Sequence, residues 1–204
     1  MINTTLKTYD EIAPEFSKSH FKPFWIKEFS YFKKLMPGKK VVDIGCGAGR
    51  DAAVFVKNKF DYFGIDGSSG MLETAQKRVL GGKFKLMDYY QLKLPKGHFD
   101  GFWAAASLLH IPKNKIRKVL KSLRLVLNKD GIGFISVKEK RNLDHGIIKD
   151  ARYNGLGRYF SFYEKDEFNK ILQKVGFKVV KIMEHLETEK AGPSINWLCY
   201  FVRK

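Results

Sequence analysis

Apolar residues recur along this chain in two rhythms, and the switches between them lay out its elements. Through residue 37 the helical rhythm holds: Phe24, Ile26, Phe29, Phe32 and Leu35 return at near-helical spacing until "MPGKK" stops them, so the first 37 residues are expected to be helical. Short apolar runs then alternate with amphipathic stretches. "KVVDIG", "DYFGID", "FKLMD", "FDGFWAAAS" and "GIGFISVK" read as five strands. "RDAAVFVKN" and "SSGMLETAQKRVL" read as helices, the second opened by serines that can cap its free N–H groups, with Met71, Leu72 and Ala75 on one face. "KNKIRKVLKSLRLVLNKDG" predicts a helix with Ile116, Val119, Leu120, Leu123 and Leu127 inward and Lys115, Arg117, Lys118, Lys121 and Arg124 outward. A last helix at "EKDEFNKILQKVG", closed by Gly176, precedes two final strands, "FKVVKIME" and "NWLCYFVRK". Strand and helix alternating in this way predict an α/β fold, a mostly parallel sheet with helices on both faces. Ligands of such sheets lie beyond the C-terminal ends of the strands, near the switch point.

Composition changes this picture little. The 44% hydrophobic fraction suits a folded globule, and no repeat or Pro/Ser-rich linker divides the 204 residues, so one domain over 1–204 is expected. Cys46 and Cys199 are the only cysteines, which suggests a reducing compartment and offers no metal-ligand spacing. No signal-like start is visible, and "GFWAAASLLHI" is far shorter than the roughly 20 residues of a membrane span, so a soluble, cytoplasmic protein with no membrane partner is expected. The net charge of +17 admits two readings, a solvated lysine-rich surface or an RNA partner; the lysines are scattered and form no basic tail.

The candidate chemistry sits where the sheet rule puts a ligand. In "VVDIGCGAGRDA" (41–52) the first strand ends at an acid and passes into Gly45, Gly47 and Gly49, which let backbone approach a ligand. The spacing is G-x-G-x-G, with Arg50 where a dinucleotide loop has its third glycine, and no Gly-Lys-Ser/Thr of a P-loop follows. A merely structural turn stays open for this segment taken alone. Asp66 ends the second strand, where a carboxylate can accept from two ribose hydroxyls, and Asp88 ends the third, placed to accept from an adenine amino group. Asp43, Asp66 and Asp88 thus close three successive strands.

With "FGIDGSSGML", "FKLMDYYQL", "FDGFWAAASLLHIP" and "LVLNKDGIGFISVK" in the same order, the chain resembles the class I S-adenosylmethionine-dependent methyltransferases, in particular small single-domain members of the methyltransferase-11 type. "YDEIAPEF" and "GRYFSFY" add to the likeness. The resemblance implies a Rossmann-like methyltransferase fold, a seven-stranded sheet of order 3-2-1-4-5-7-6 with the last strand antiparallel. It implies S-adenosyl-L-methionine as cofactor and S-adenosyl-L-homocysteine as product. Gly45, Cys46, Gly47, Gly49 and Arg50 would face the methionine moiety and Asp66 the ribose, while Met87, Asp88 and Tyr89 would frame the adenine with Gly67, Ser68 and Met71 nearby. Ala104, Ala105 and Ser107 would line the methionine tail, and Tyr9, in an N-terminal helical cap over 1–37, would close over the cofactor.

Methyl transfer from a sulfonium needs alignment and exclusion of water, and a base only where the acceptor is protonated. His110 in "LLHIP" is the candidate general base, with a packing role as the alternative. Residues 139–163, expected as a substrate-side loop with Gly155 and Gly157 as hinges, offer Arg141, His145, Arg152, Arg158 and Tyr159 for an anionic or planar acceptor; their charges being merely solvated is the other reading. There is no Asn/Asp-Pro-Pro-Tyr/Phe tetrapeptide and no Pro-Cys pair, which argues against adenine or glutamine amino groups and against cytosine C5 as acceptors. Cys46 reads as a small filler. The leading expectation is direct transfer to O, N or S of a small molecule, the runner-up is RNA such as tRNA, and a nicotinamide-dependent oxidoreductase is disfavoured by Arg50.

Overall fold

The central strand shows how the sequence builds the sheet. In a computed structural model, which describes residues 2–188 and 194–204, β1 (Lys40–Ile44) buries four of its five residues. Val41 packs into one layer, Val42 and Ile44 into the other, as a strand covered on both faces requires. On one side of β1 lie β2 (Asp61–Asp66) and β3 (Lys83–Leu86), on the other β4 (Phe99–Ala105) and β5 (Leu127–Lys138), all parallel. A separate hairpin, β6 (His145–Asp150) with β7 (Leu156–Ser161), interrupts the count before β8 (Lys178–Glu187) and β9 (Ile195–Arg203). The sheet order is β3-β2-β1-β4-β5-β9-β8, and β9 runs antiparallel to both neighbours. With the hairpin set aside, this is the expected order 3-2-1-4-5-7-6. Met1 and residues 189–193 of the expected 1–204 domain lie outside the described residues.

Two layers cover the sheet. On one face α2 (Ile26–Leu35) and α3 (Arg50–Lys57) bring Phe29, Phe32, Ala52 and Phe55 against Trp103 and Phe134. On the other, α5 (Lys113–Val126) and α6 (Lys165–Val175) supply Ile116, Val119, Leu120, Leu123, Phe168 and Leu172. Phe32, Phe55, Phe134 and Phe168 are fully buried, and each such side chain stabilises the fold by about 1.5–3 kcal/mol of transfer free energy. No helix among the described residues is long and apolar enough to cross a membrane.

Three expectations change. The N-terminal helical region is two helices, α1 (Ile2–His20) and α2, because the segment with Pro23 breaks the run between them. The helix expected to reach "LNKDG" ends at Val126; Leu127 is buried by pairing with Phe99 in the sheet, and Asn128, Asp130 and Gly131 are poor helix formers. Residues 139–163 are largely hairpin rather than loop. Ile147 faces Tyr159 and Ile148 faces Arg158, Gly155 sits in the connecting turn, and Gly157 pairs with Lys149, so neither glycine is a free hinge.

The fold places α1 across the C-terminal end of the sheet. Ile12 and Ala13 of α1 pack with Met71 of α4 (Ser69–Arg78) and with Tyr153 of the hairpin turn. Asp10 caps α4, accepting from Ser68 Oγ at 2.7 Å and from the Gly70 amide at 3.0 Å. Toward the hairpin, Thr8 Oγ1 donates to the Gly157 carbonyl and Thr5 Oγ1 accepts from the Tyr159 amide, both at 2.9 Å.

Candidate active site

Beneath α1, at the C-terminal ends of β1, β2 and β4, lies a cavity of about 130 Å³. Its floor is the turn after β1. Gly45 has φ +75°, and a Cβ there would fall 2.5 Å from Ser107 Cβ and 2.7 Å from Tyr89 Oη. Gly47 has φ +54° with open space where its Cβ would be, and its amide donates to Asp66 Oδ2 at 2.8 Å. Both positions need glycine, the first for close approach and the second for backbone conformation. Gly49 stands back from the cavity as the N-cap of α3.

Carboxylates dominate the inner wall. Asp66 is 7% exposed; its Oδ1 accepts from the Ser68 amide at 2.9 Å. Burial pushes its pKa up to about 6 against the opposing pull of the Ser68, Gly47 and Gly67 amides. Asp43 accepts from Tyr62 Oη at 2.8 Å, and burial, with Asp51 nearby, raises its carboxyl well above the usual range. The one guanidinium lining the cavity, Arg50, is held by Asp51 through two bonds of 2.7 and 3.0 Å, and Asp51 also accepts from Trp103 Nε1 at 2.9 Å. Burial likewise raises the Cys46 thiol, which suits a filler and not a nucleophile.

The opposite wall is aromatic. Tyr9, Tyr89, Tyr90 and His110 line it. His110 Nδ1 lies 2.6 Å from the Tyr159 carbonyl, which can only accept, so Nδ1 carries the proton. Nε2 is therefore the acceptor, and Tyr9 Oη donates to it at 2.9 Å. Burial drives the imidazole pKa down to about 3, so the ring is neutral. Ser107 Oγ is buried and has no hydrogen-bond partner.

Of the residues singled out in the sequence, the cavity gathers Tyr9, Gly45, Cys46, Gly47, Arg50, Asp66, Met71, Tyr89, Ala105, Ser107 and His110. Others stand behind it. Gly67 packs against Leu6 of α1, Ser68 caps α4, and Ala104 and Met87 belong to the core on the α5 face. The Asp88 side chain accepts from the Tyr90 amide at 2.9 Å, capping a short 3-10 turn at 89–91.

The hairpin residues are not in the lining either. Arg158 is buried, donates to Asp150 at 2.8 Å and lies over the rings of Tyr9, Tyr153 and Phe160. Arg152 also binds Asp150. Arg141 donates to the Ser194 carbonyl, and His145 is exposed at the start of β6. Tyr159 acts through its backbone, holding Thr5 with its amide and His110 with its carbonyl.

Sequence reading passed over Thr5, Asp10, Asp51 and Tyr90. Asp10 and Asp51 stand next to Tyr9 and Arg50, which was the available signal, but their partners are known only from the folded chain. Among the described residues no cluster of His, Cys, Asp and Glu could hold a metal ion.

Comparison with known proteins agrees with this geometry. A family described as "Methyltransferase domain" matches residues 41–131. An O-methyltransferase of Pyrenophora dematioidea is 28% identical over 158 residues, 72% of this chain and 57% of that protein. A tRNA (carboxymethyluridine(34)-5-O)-methyltransferase of Saccharomyces cerevisiae is 33% identical over 125 residues, 60% of this chain and 42% of that protein. The chain thus spans less than two thirds of these relatives. Among solved structures, a 1,6-didemethyltoxoflavin-N1-methyltransferase of Burkholderia thailandensis, with bound 1,6-didemethyltoxoflavin and S-adenosylhomocysteine, superposes with a TM-score of 0.75 at 17% identity, covering 100% of this chain and 87% of that one. The sheet order and the glycine turn thus give the chain the Rossmann-like fold of the class I S-adenosylmethionine-dependent methyltransferases, and residues 41–131 match a methyltransferase domain within it.

Proposed function

We propose that the chain transfers the methyl group of S-adenosylmethionine directly to an O, N or S atom of a small molecule. The observation that carries this is the cavity joining the glycine turn and Asp66 to an unpartnered Ser107 hydroxyl and a neutral His110.

The donor set fits the cofactor. Asp66 keeps lone pairs for ribose hydroxyls after accepting two amides. The space over Gly47 admits a ligand against backbone. Asp51, itself paired with Arg50, stands in the lining to face the ammonium of an amino-acid tail, and Ser107 Oγ can bond to the same tail. When bound, the cofactor supplies an electrophilic methyl carbon on a sulfonium.

The chain's part is positioning. α1 lies over the cavity and places Tyr9 in its lining, which helps to exclude water from the site. His110, fixed by the Tyr159 carbonyl, turns Nε2 toward the cavity as a proton acceptor; an acceptor hydroxyl or amine takes the place of Tyr9 Oη at that nitrogen.

Calorimetry with S-adenosylhomocysteine tests the reading. Micromolar binding is expected, and no binding at millimolar ligand removes the proposal.

A second reading, RNA as the acceptor, is favoured by one feature. Lys115 Nζ lies over the ring of Tyr90, a cavity residue, so the exposed basic face of α5, with Arg117, Lys118 and Lys121, begins at the cavity wall. The yeast relative acts on tRNA. Binding to total tRNA across a salt series separates the two: a phosphate footprint gives a steep loss of affinity with salt, reduced by Lys118→Glu with Lys121→Glu.

A further inference from the structure

The end of β4 carries a backbone conformation that its residue resists. Ala106 has φ +53°, a left-handed value that its Cβ opposes. Of the other non-glycine residues in this region among those described, Lys59 and Asn154 lie in exposed turns, where such values are common; Ala106 instead lines the cavity. One side chain holds it there. The Ala106 amide donates to Ser136 Oγ at 2.8 Å. Ser136 is fully buried in β5, beside Ala105 in the parallel register, in the otherwise apolar run "GFISV". Packing alone gives no reason for a hydroxyl at that place, since a β-branched apolar residue would suit a central strand better.

The turn at Ala106 decides where the next residue goes. Ser107 is brought so close over the glycine turn that a Cβ at Gly45 would lie 2.5 Å from its own. Its Oγ is left buried, facing no protein partner, on a residue that lines the cavity. A strained backbone and an unsatisfied buried hydroxyl are both unfavourable, and here they fall on adjacent residues at a ligand cavity. A ligand that bonds to Ser107 Oγ removes the second penalty and gives a reason for the first.

We propose that Ser136 is a positioning residue for the cofactor: its hydroxyl holds Ala106 in the left-handed conformation and so presents Ser107 Oγ to the amino-acid tail of the S-adenosyl group. The inference rests on the cofactor reading above. Ser136 does not line the cavity and acts through Ala106. Without its hydroxyl the Ala106 amide loses its acceptor, the backbone relaxes toward negative φ, and Ser107 moves away from the tail while the ribose contacts at Asp66 remain.

The test is calorimetry with two ligands, S-adenosylhomocysteine and adenosine, which lacks the tail. In Ser136→Ala the Kd for S-adenosylhomocysteine is expected to rise about tenfold, the scale of one charge-assisted hydrogen bond, while the Kd for adenosine moves by less than about twofold. Adding Ala106→Gly to Ser136→Ala is expected to recover about threefold or more, because glycine adopts the left-handed turn unaided. An unchanged Kd in Ser136→Ala, an equal loss for both ligands, or no recovery on adding Ala106→Gly each overturn the proposal. Should the alanine variant fail to fold, Ser136→Cys carries the same comparison, its weakly accepting thiol giving about a threefold loss confined to S-adenosylhomocysteine. A wild-type chain that binds no S-adenosylhomocysteine overturns the cofactor reading itself; one that binds it while these variants fail the pattern overturns this inference alone.

Discussion

Asp66 and His110 are both pushed by burial away from their ordinary ionisation, in opposite senses for the chemistry. The Asp66 carboxyl sits at about 6, above its usual 3.8, and must be ionised to accept from two ribose hydroxyls. S-adenosylhomocysteine affinity is therefore expected to rise as pH rises through about 6 and to level off above it, with Asp66→Asn giving a flat profile. The unliganded fold responds with the other sign. Between about 4 and 6 the unfolded chain gives up this proton first, so the Asp66 contribution to stability falls as pH rises. Asp66→Ala is expected to weaken S-adenosylhomocysteine binding by about 1.5–3 kcal/mol; unchanged affinity would place the ribose elsewhere. For His110, a pKa near 3 means that no rate inflection near 6.5 belongs to it. If its Nε2 takes the acceptor proton, His110→Ala lowers methyl transfer by about 10²–10⁴, and a retained full rate assigns the ring to packing.

At the scale of elements, α1 is the piece whose docking assembles the site. It is tied to α4 through Asp10 and to β7 through Thr5 and Thr8. α1 and α4 approach so closely that a Cβ at Gly70 would lie 2.7 Å from the Asp10 carbonyl oxygen, which is backbone and cannot swing aside. Gly70→Ala improves helix propensity by about 1 kcal/mol, yet it is expected to loosen α1, seen as faster amide exchange in residues 5–17. Asp10→Ala acts at the same joint by removing the acceptor of the Gly70 amide while the Ser68 cap stays, at a cost of about 1 kcal/mol in stability. If either variant leaves exchange in α1 unchanged, the roof is held by apolar contacts alone. Little of this joint was legible beforehand. The α4 cap could be read from its serines, whereas Asp10 meets Ser68 across 58 residues of chain and Thr5 meets Tyr159 across 154, and no local pattern encodes such a meeting.

For the whole molecule, 38 basic against 21 acidic side chains leave a net charge of +17. Self-repulsion of that size destabilises the compact state and is screened over about 10 Å at 0.1 M salt. The melting temperature is accordingly expected to rise when salt is raised from low to physiological strength; a fall would mean that attractive pairs such as Lys113 with Glu167 outweigh the repulsion. Scattered charge reads as a property of the sequence, but which part of it faces the cavity does not. That Arg50 is answered by Asp51, and Arg158 by Asp150, turns two apparent anion sites into internal pairs.

The sequence by itself determined the alternation of strand and helix, the glycine turn after β1 and the acid at the end of β2, because each depends on side-chain spacing within a few residues. The order of the sheet was legible too, through the ordered set of family motifs. Tertiary structure alone decided that residues 139–163 form a hairpin, that its backbone sets the His110 tautomer, and that Ser136 holds Ala106. The hairpin strands are short and irregular in hydrophobic rhythm, so they gain their conformation from α1 and from each other. The remaining contacts join residues 30 to 49 positions apart, brought together only when β4, β5 and β7 have taken their places, which is why a local reading of the chain could name His110 but not the groups that fix its chemistry.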